Sequence, residues 1–297
     1  MWKQRTDLAL EAKELWQESA SQRTKLQGVR SRCVRHLGYP VDTVEILDRA
    51  GARALGKPEG TYITVTLDGL QRREEDAFGR AARAVAHQLR HLLGSLPPEA
   101  PVLVAGLGNR AITPDAIGPL VHQHTMVTRH LVEQVPEHFG HLRPVSCLSA
   151  GVLGTTGMES GDLLHAVCRA IRPGCVIAVD ALASRSMHRV CRTIQLADTG
   201  IVPGSGIGNH RAALDRTSLG VPVIAIGVPT VVDGATLAMD LMGREEPPQL
   251  AGGVENLMVT PRDIDARVAE LSKVIGYGIN LALHDGLEIK DIELLLS

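Results

Sequence analysis

Apolar residues recur along this chain with two different spacings, and the alternation between the two is its clearest pattern. A spacing of about 3.6 residues predicts amphipathic helices, and Phe78, Ala82, Val85, Leu89 and Leu92 give the clearest example. Short apolar runs bounded by turn-forming residues predict strands. The predicted helices cover residues 8–20, 73–94, 117–132, 160–171 and 261–284. The predicted strands cover residues 42–48, 61–67, 102–105, 145–148, 175–179, 192–197 and 222–226.

Strands that alternate with helices predict an α/β fold with a mainly parallel, doubly wound sheet and flanking helices. The chain of 297 residues suffices for one large domain of this class. Within it we expect a small strand-rich annex at 40–70 and a loop or linker at 242–253. Asp7 is placed to cap the first helix, and Pro261 fits the first turn of the last helix.

Composition narrows the classes of function. Apolar residues make up 44% of the chain and aromatic residues only 2%, which predicts an aliphatic core. The net charge of −2 argues against a protein that coats nucleic acid. No apolar run approaches the ~18 residues of a membrane helix, and no signal-peptide pattern is present. Five cysteines without a CxxC pair predict neither a disulfide framework nor a zinc knuckle, so we expect a reducing, cytoplasmic compartment and no membrane partner.

Two aspartates at the ends of predicted strands are the main catalytic candidates. Asp115 lies in a glycine-containing segment after strand 102–105, and Asp180 directly follows strand 175–179. Open α/β sheets bind ligands beyond the carboxyl ends of their strands, so we expect both carboxylates in one cleft. Either aspartate alone would more commonly cap the next helix or loop. Their shared placement among glycines, which permit close backbone approach, favours a catalytic pair.

Other kinds of chemistry have weaker support. Gly106-x-Gly108-x-x-Ala111 formally matches a dinucleotide-binding pattern. Pro114 biases the preceding residue away from helical geometry, and no acidic residue ends a strand about 20 residues later, as the ribose contact requires. No GxSxG elbow is present, and the cysteines lie mostly in apolar stretches, which argues against a serine or thiolate nucleophile. We therefore expect no cofactor.

Two close histidine pairs bear on metal binding, His122-x-His124 and His138-x-x-His141. Residues two apart on a helix do not share a face, so the first pair is not expected to chelate. Surface histidines are the simpler interpretation of both pairs. We expect no metal, although the residues leave open a metal held by Asp115, Asp180 and one remote histidine.

Long blocks of the chain closely resemble the germination proteases of endospore-forming bacteria. The matching blocks are residues 5–12, 106–119, 143–146, 151–160, 177–186, 197–209, 223–233 and 256–261. The chain departs from the family pattern in a short segment before Arg5, a short segment at 242–253, and Met158 and Ser160 where Ile and Thr are commoner. The resemblance spans nearly the whole chain and is far more specific than a short motif.

This resemblance implies an endopeptidase that degrades small acid-soluble spore proteins during germination, in the cytoplasm of the spore core. It implies an atypical aspartic peptidase, related in fold to hydrogenase-maturation peptidases, in which Asp115 and Asp180 are the essential pair. It also implies a homotetramer. Residues 1–7 would be a short propeptide and residues 8–297 the peptidase domain. Residues 6–9 look like the family's own cleavage preference, so we expect self-processing between Asp7 and Leu8, where an exposed terminus would also favour cleavage.

Three hypotheses remain open from the sequence. The first is the aspartate-dependent endopeptidase, in which two nearby carboxylates share a proton and titrate as a unit. The second is a metal-dependent, maturation-type peptidase with the same aspartates as ligands. The third is a non-enzymatic binding protein on a peptidase-like fold. The sequence does not assign which aspartate is the acid and which the base.

Overall fold

We analysed a computed structural model, which describes residues 6–19, 26–204, 211–242 and 257–296. The linker or loop expected at 242–253 lies outside the described residues, apart from its first residue. Residues 1–5 of the expected propeptide also lie outside them.

Helices and strands alternate through most of the chain. The helices are α1 (Ala9–Ser19), α2 (Arg49–Leu55), α3 (Asp68–Gln71), α4 (Ala77–Leu93), α5 (Ile117–Val121), α6 (Arg129–Gln134), α7 (Pro136–Phe139), α8 (Leu153–Thr156), α9 (Ser160–Ile171), α10 (Arg216–Leu219), α11 (Gly234–Met242), α12 (Ile264–Leu283) and α13 (Ile289–Leu296). The strands are β1 (Val29–His36), β2 (Tyr39–Ile46), β3 (Gly60–Thr66), β4 (Val102–Leu107), β5 (Val145–Gly151), β6 (Cys175–Ser184), β7 (Thr193–Ala197), β8 (Val223–Asp233) and β9 (Met258–Val259).

The described strands form one nine-stranded sheet in the order β1-β2-β3-β7-β8-β6-β4-β5, with β9 paired to β8. The four strands β8, β6, β4 and β5 run parallel, as the alternating pattern predicts. The strands β1, β2, β3 and β7 extend the sheet by antiparallel pairing. The expected α/β class is thus confirmed, and the sheet is mixed, with its parallel half around the two aspartates.

The two strands of the expected annex at 40–70, β2 and β3, belong to this same sheet. β3 pairs with β7 from Tyr62↔Ala197 to Thr66↔Thr193. β1, which the apolar pattern does not predict, pairs with β2 across a turn at Leu37 and Gly38, both with positive φ. Such two-residue turns match the twist of a hairpin. Most side chains of β1 are exposed, so this edge strand lacks the apolar alternation that would reveal it.

The core lies on both faces of the sheet. Successive residues of a strand point to opposite faces, and in β6 Ile177 packs on one side while Val176 and Ala178 pack on the other. The first face is covered by α4, α5 and α12, and the second by α9. The sheet is therefore a central layer, and the site lies where its parallel strands end.

The helix predicted at 117–132 is wrong in extent, since it divides into α5, a 3-10 turn and α6. The helix is interrupted after residue 124 because polar groups of the following residues form hydrogen bonds with distant parts of the chain. The backbone N–H of Met126 donates to Oδ1 of Asn280, and the backbone N–H of Val145 donates to Oγ1 of Thr128. These contacts attach the segment to α12 and to the start of β5. As a result, α5 has only five residues.

Candidate active site

Asp180 lies within β6 at the point where one neighbouring strand stops. The pairing of β6 with β4 ends at Gly106↔Val179, whereas its pairing with β8 continues through Asp180↔Gly227 to Ser184. Asp180 is thus the first residue of β6 beyond its β4 partner. Its side chain is 4% exposed, and its Oδ1 accepts a hydrogen bond from the backbone N–H of Ala181 at 2.9 Å.

Asp115 reaches the same place from the loop after β4. The loop turns at Gly108, whose φ is +102° and where a Cβ would collide with the backbone oxygen of Asp115. The backbone N–H of Asn109 donates to Oδ2 of Asp115 at 2.8 Å, and the backbone N–H of Asp115 donates to Ile112 at 2.8 Å. No helix opens directly at the glycines, because α5 begins only at Ile117. The loop geometry therefore favours a role in positioning the carboxylate of Asp115 over a role in binding a dinucleotide.

Both aspartates line one cavity of about 250 Å³ beyond the ends of the parallel strands. Besides them, its wall is formed by Asp7, Leu107, Gly108, Ile112, Pro114, Val152, Ser160, Ala181, Leu182, Ala183, Pro203, Gly204, Arg211, Thr230, Val231, Met258 and Thr260. The expectation that the two carboxylates share a cleft agrees with this geometry. A volume of this size suits a short stretch of extended polypeptide or a small ligand.

The surroundings favour a protonated Asp180. Burial raises the pKa of Asp180 well above its usual value, and the nearby carboxylates of Asp115 and Asp7 raise it further. The pKa of Asp115 is also raised by burial, but the backbone N–H of Asn109 and the charge of Arg211 oppose that rise. Asp180 is the more buried of the two and has the neighbouring negative charges. Asp115 therefore ionises first, and Asp180 keeps its proton.

Asp7, which lies shortly before α1, also lines the cavity, which the sequence does not reveal. The backbone N–H of Asp7 donates to Ala183 at 3.0 Å, and Oδ2 of Asp7 accepts from the backbone N–H of Ala183 at 2.8 Å. The first helical N–H, of Ala9, donates to Oε1 of Gln195 at 2.8 Å. Leu8 is fully buried. The Asp7–Leu8 junction is thus attached to β6, and the expectation of an exposed junction is wrong.

A buried carboxylate on α1 fixes the far end of β6. Glu11 is fully buried, and its oxygens accept from Oγ of Ser184 at 2.8 Å and from the backbone N–H of Arg185 at 2.6 Å. The guanidinium of Arg189 completes the contact at 3.1 Å. Buried charges persist where they are paired and hydrogen-bonded in this way. The carboxyl end of the strand that carries Asp180 is thus attached to Asp7 and Glu11.

The other candidate groups lie away from the cavity. None of the histidines of the two close pairs lines it. No group of three or more His, Cys, Asp or Glu side chains suited to a metal occurs among the described residues. Burial raises the pKa of Cys147 and Cys191 to about 12 and that of Cys175 to about 11, so these thiols are poor nucleophiles.

Within the described ranges, no helix is long and apolar enough to cross a bilayer.

Sequence reasoning missed several residues of the cavity wall. Arg211 supplies a positive charge that lowers the pKa of both aspartates. Ser160, one of the departures from the family pattern, lines the wall and donates from Oγ to Gly151 at 3.0 Å. Thr230 comes from β8, and the sequence gives no signal for it beyond its position after a predicted strand.

An α/β fold with two carboxylates in one cavity beyond its parallel strands is compatible with an enzyme, and comparison with known proteins assigns the chain to a class of proteases. A family model described as germination protease matches residues 9–243. The chain belongs to the germination protease family, and it is an endopeptidase of spore germination that acts on protein.

Individual relatives agree over the whole length. The chain is 43% identical to the germination protease of Caldanaerobacter subterraneus, with 98% of each chain covered. It is 40% identical to that of Clostridium perfringens over the full length of both, and 36% identical to that of Oceanobacillus iheyensis, with 96% of this chain and 95% of the relative covered. Among solved structures, a NiFe hydrogenase maturation protease from Thermococcus kodakarensis matches 65% of this chain and 98% of its own, at 17% identity and a TM-score of 0.37.

Proposed function

We propose that this protein cleaves small acid-soluble spore proteins with Asp115 and Asp180 as an aspartate pair. The observation that carries the proposal is that both carboxylates line one cavity and that Asp115 raises the pKa of Asp180. Two coupled carboxyl groups that share one proton supply both a base and an acid at a single site. The family membership supplies the protein substrate.

The structure favours one assignment of the two roles. Asp115, which ionises first, takes a proton from water as the water oxygen bonds to the scissile carbonyl carbon. Asp180, which keeps its proton, donates a hydrogen bond to the carbonyl oxygen as negative charge develops there. The departing nitrogen then takes a proton from the pair as the C–N bond breaks. The sequence alone left this assignment open.

We also propose that the protein processes itself between Asp7 and Leu8. Asp7 lines the same cavity as the two aspartates. Its carbonyl oxygen accepts hydrogen bonds from Nζ of Lys57 at 3.0 Å and from Nε2 of Gln195 at 3.3 Å. Two donors on one carbonyl oxygen polarise the carbonyl group that a nucleophile would attack. The segment before Leu8 would act as a propeptide that occupies part of the cleft.

Three further properties belong to the proposal, the first two by family membership and the third by net charge. The protein works in the cytoplasm of the spore core, where its substrates are stored. It assembles as a homotetramer, and a monomeric mass in sedimentation at micromolar concentration would contradict that. It binds no nucleic acid directly, in keeping with a net charge of −2.

The decisive experiment is incubation of the purified protein with a small acid-soluble spore protein, with and without exhaustive chelation. We expect limited cleavage, mapped by mass spectrometry, that is equal in both arms. Cleavage that disappears with chelator and returns with a divalent metal would favour the metal-dependent alternative, for which the described residues offer no compact ligand set. Binding without any cleavage would favour a non-enzymatic binding protein.

A further inference from the structure

β8 contains an irregularity beside the cavity. Its pairing with β6 passes from Leu182↔Pro229 directly to Ala183↔Val231, so Thr230 is an extra residue with no opposite partner on β6. Such β-bulges bend a strand and re-aim a side chain, and they are common next to active sites. The backbone of Thr230 is fixed, because its carbonyl oxygen accepts from Oγ1 of Thr260 at 2.8 Å.

The side chain placed by this bulge has an unused hydroxyl group. Thr230 is 1% exposed and lines the same cavity as Asp115 and Asp180. No atom of the described residues forms a hydrogen bond with its Oγ1. By contrast, Oγ1 of the buried Thr125 donates to Val121 at 2.9 Å. A buried hydroxyl without a partner destabilises a folded protein, and a ligand bound in this cavity can supply the missing partner.

One wall of the cavity already binds the backbone of Asp7, which indicates the chemistry of that partner. The backbone of Asp7 bonds to the backbone of Ala183, the β6 residue directly beside the bulge. A substrate that takes the place of this segment brings peptide carbonyl groups to the wall that carries Thr230. We propose that Oγ1 of Thr230 donates a hydrogen bond to a backbone carbonyl oxygen of the bound substrate. This inference rests on the proposed peptidase function and adds a substrate-binding residue to it.

The test compares Thr230→Val, which keeps the shape and removes the hydroxyl, with Thr230→Ser, which restores it. The matched control is Thr125→Val, which removes a buried hydroxyl that is already bonded and lies outside the cavity. For Thr230→Val we expect kcat/KM on a small acid-soluble spore protein to fall about fivefold to tenfold. The melting temperature should stay equal or rise. Thr230→Ser should recover most of the activity, and Thr125→Val should lose stability without losing activity.

A second measurement separates this inference from the chemistry of cleavage. Asp115→Asn is expected to bind substrate without cutting it, so the dissociation constant of its complex can be compared with that of Asp115→Asn/Thr230→Val. Weaker binding by about the same factor supports the contact. Equal affinity, or Thr230→Val with kcat/KM within twofold of the parent, overturns it. Failure of the parent protein to cleave at all, with the Thr230 effect on binding retained, would overturn the peptidase proposal alone.

Discussion

Asp7 and Ala183 are joined by two hydrogen bonds, one through the backbone N–H of Asp7 and one to its carboxylate. Asp7 therefore lies against β6, with its carboxylate accepting the bond that a backbone carbonyl would accept in an added strand, and it lines the cavity of Asp115 and Asp180. Strand addition is a common way for an enzyme or binding module to hold an extended peptide. The same backbone groups of Ala183 become available to another peptide when Asp7 is either cleaved off or displaced by that peptide.

Self-cleavage between Asp7 and Leu8 should therefore be intramolecular. Leu8 is fully buried, so a second molecule has no access to the junction while the fold is intact. We expect first-order kinetics with a rate constant independent of protein concentration, and Leu8 as the new N-terminus. N-terminal sequencing over a hundredfold range of concentration measures both, with Asp115→Asn as the uncleaved control. An intact Met1 terminus in a preparation that cleaves substrate fully would show that processing is not required.

Asp115→Asn and Asp180→Asn should each fold normally and lose about 10³-fold or more of the cleavage rate, because residues that act as a unit do not compensate for one another. The exposed Asp162, in the first turn of α9, gives the matched control Asp162→Asn. Circular dichroism and thermal melting check the fold, and a quenched substrate assay measures the rate. Near-normal turnover by either well-folded variant would rule out the pair.

The pH dependence should report the two aspartates separately. Activity should rise with pH as Asp115 ionises, above the usual range of an aspartate because its pKa is raised by burial. It should fall again as Asp180 loses its proton at a still higher pH. A profile of kcat/KM from pH 4 to 9 tests this expectation. A rate that stays flat to pH 9 would contradict the role of Asp180 as the acid.

The raised pKa of Asp180 should make the folded protein less stable as pH rises. A salt-bridged carboxylate, whose pKa is lowered, has the opposite effect. Because the folded-state pKa lies above the unfolded one, Asp180 stabilises the fold relative to its ionised form at low pH and loses that contribution as pH rises through the folded pKa. Asp180→Asn removes this dependence. Its melting temperature relative to the parent should increase from pH 4 to pH 8, and a constant difference would contradict the shift.

The shared cavity of Asp115 and Asp180 could be predicted from the sequence because strand ends carry a strong local signal. Apolar runs predicted that Asp115 and Asp180 each follow one of two neighbouring parallel strands, although Asp180 lies within β6, which continues to Ser184. The boundaries of α9 were predicted correctly at 160–171. The extent of β6 and β8 beyond residues 179 and 226 could not be predicted, because it depends on their pairing with each other past the end of β4. The same pairing produces the bulge at Thr230.

Long-range polar contacts account for the other differences. The pattern at Asp7 predicts a local helix cap, whereas its hydrogen bonds to Ala183 connect residues far apart in the chain. The contacts of the buried Glu11 are also long-range, since its partners Ser184 and Arg189 are 173 and 178 residues away in the chain. Such contacts leave no periodic trace, because each depends on one side chain that meets a distant backbone.

The last prediction concerns acid stability. His284, at the end of α12, is 2% exposed, and neither ring nitrogen has a hydrogen-bond partner among the described residues. Burial and the nearby charge of Arg143 lower its pKa to about 4. The folded state therefore disfavours the charged imidazole, while the unfolded chain binds a proton near pH 6.5. Stability should thus decrease as pH falls from about 6.5 to about 4, by a total on the order of 3 kcal/mol.

His284→Leu removes this proton-linked loss, because leucine has a similar bulk and no titrating group. We expect the variant to unfold at a higher temperature than the parent at pH 4.5, with a much smaller difference at pH 7.5. The exposed His138 provides the control His138→Leu, which should leave the pH dependence of melting unchanged. Melting curves across this pH range decide the matter. A parallel loss of stability in parent and His284→Leu would assign the acid sensitivity to groups other than His284, such as carboxylates that are paired in the folded state.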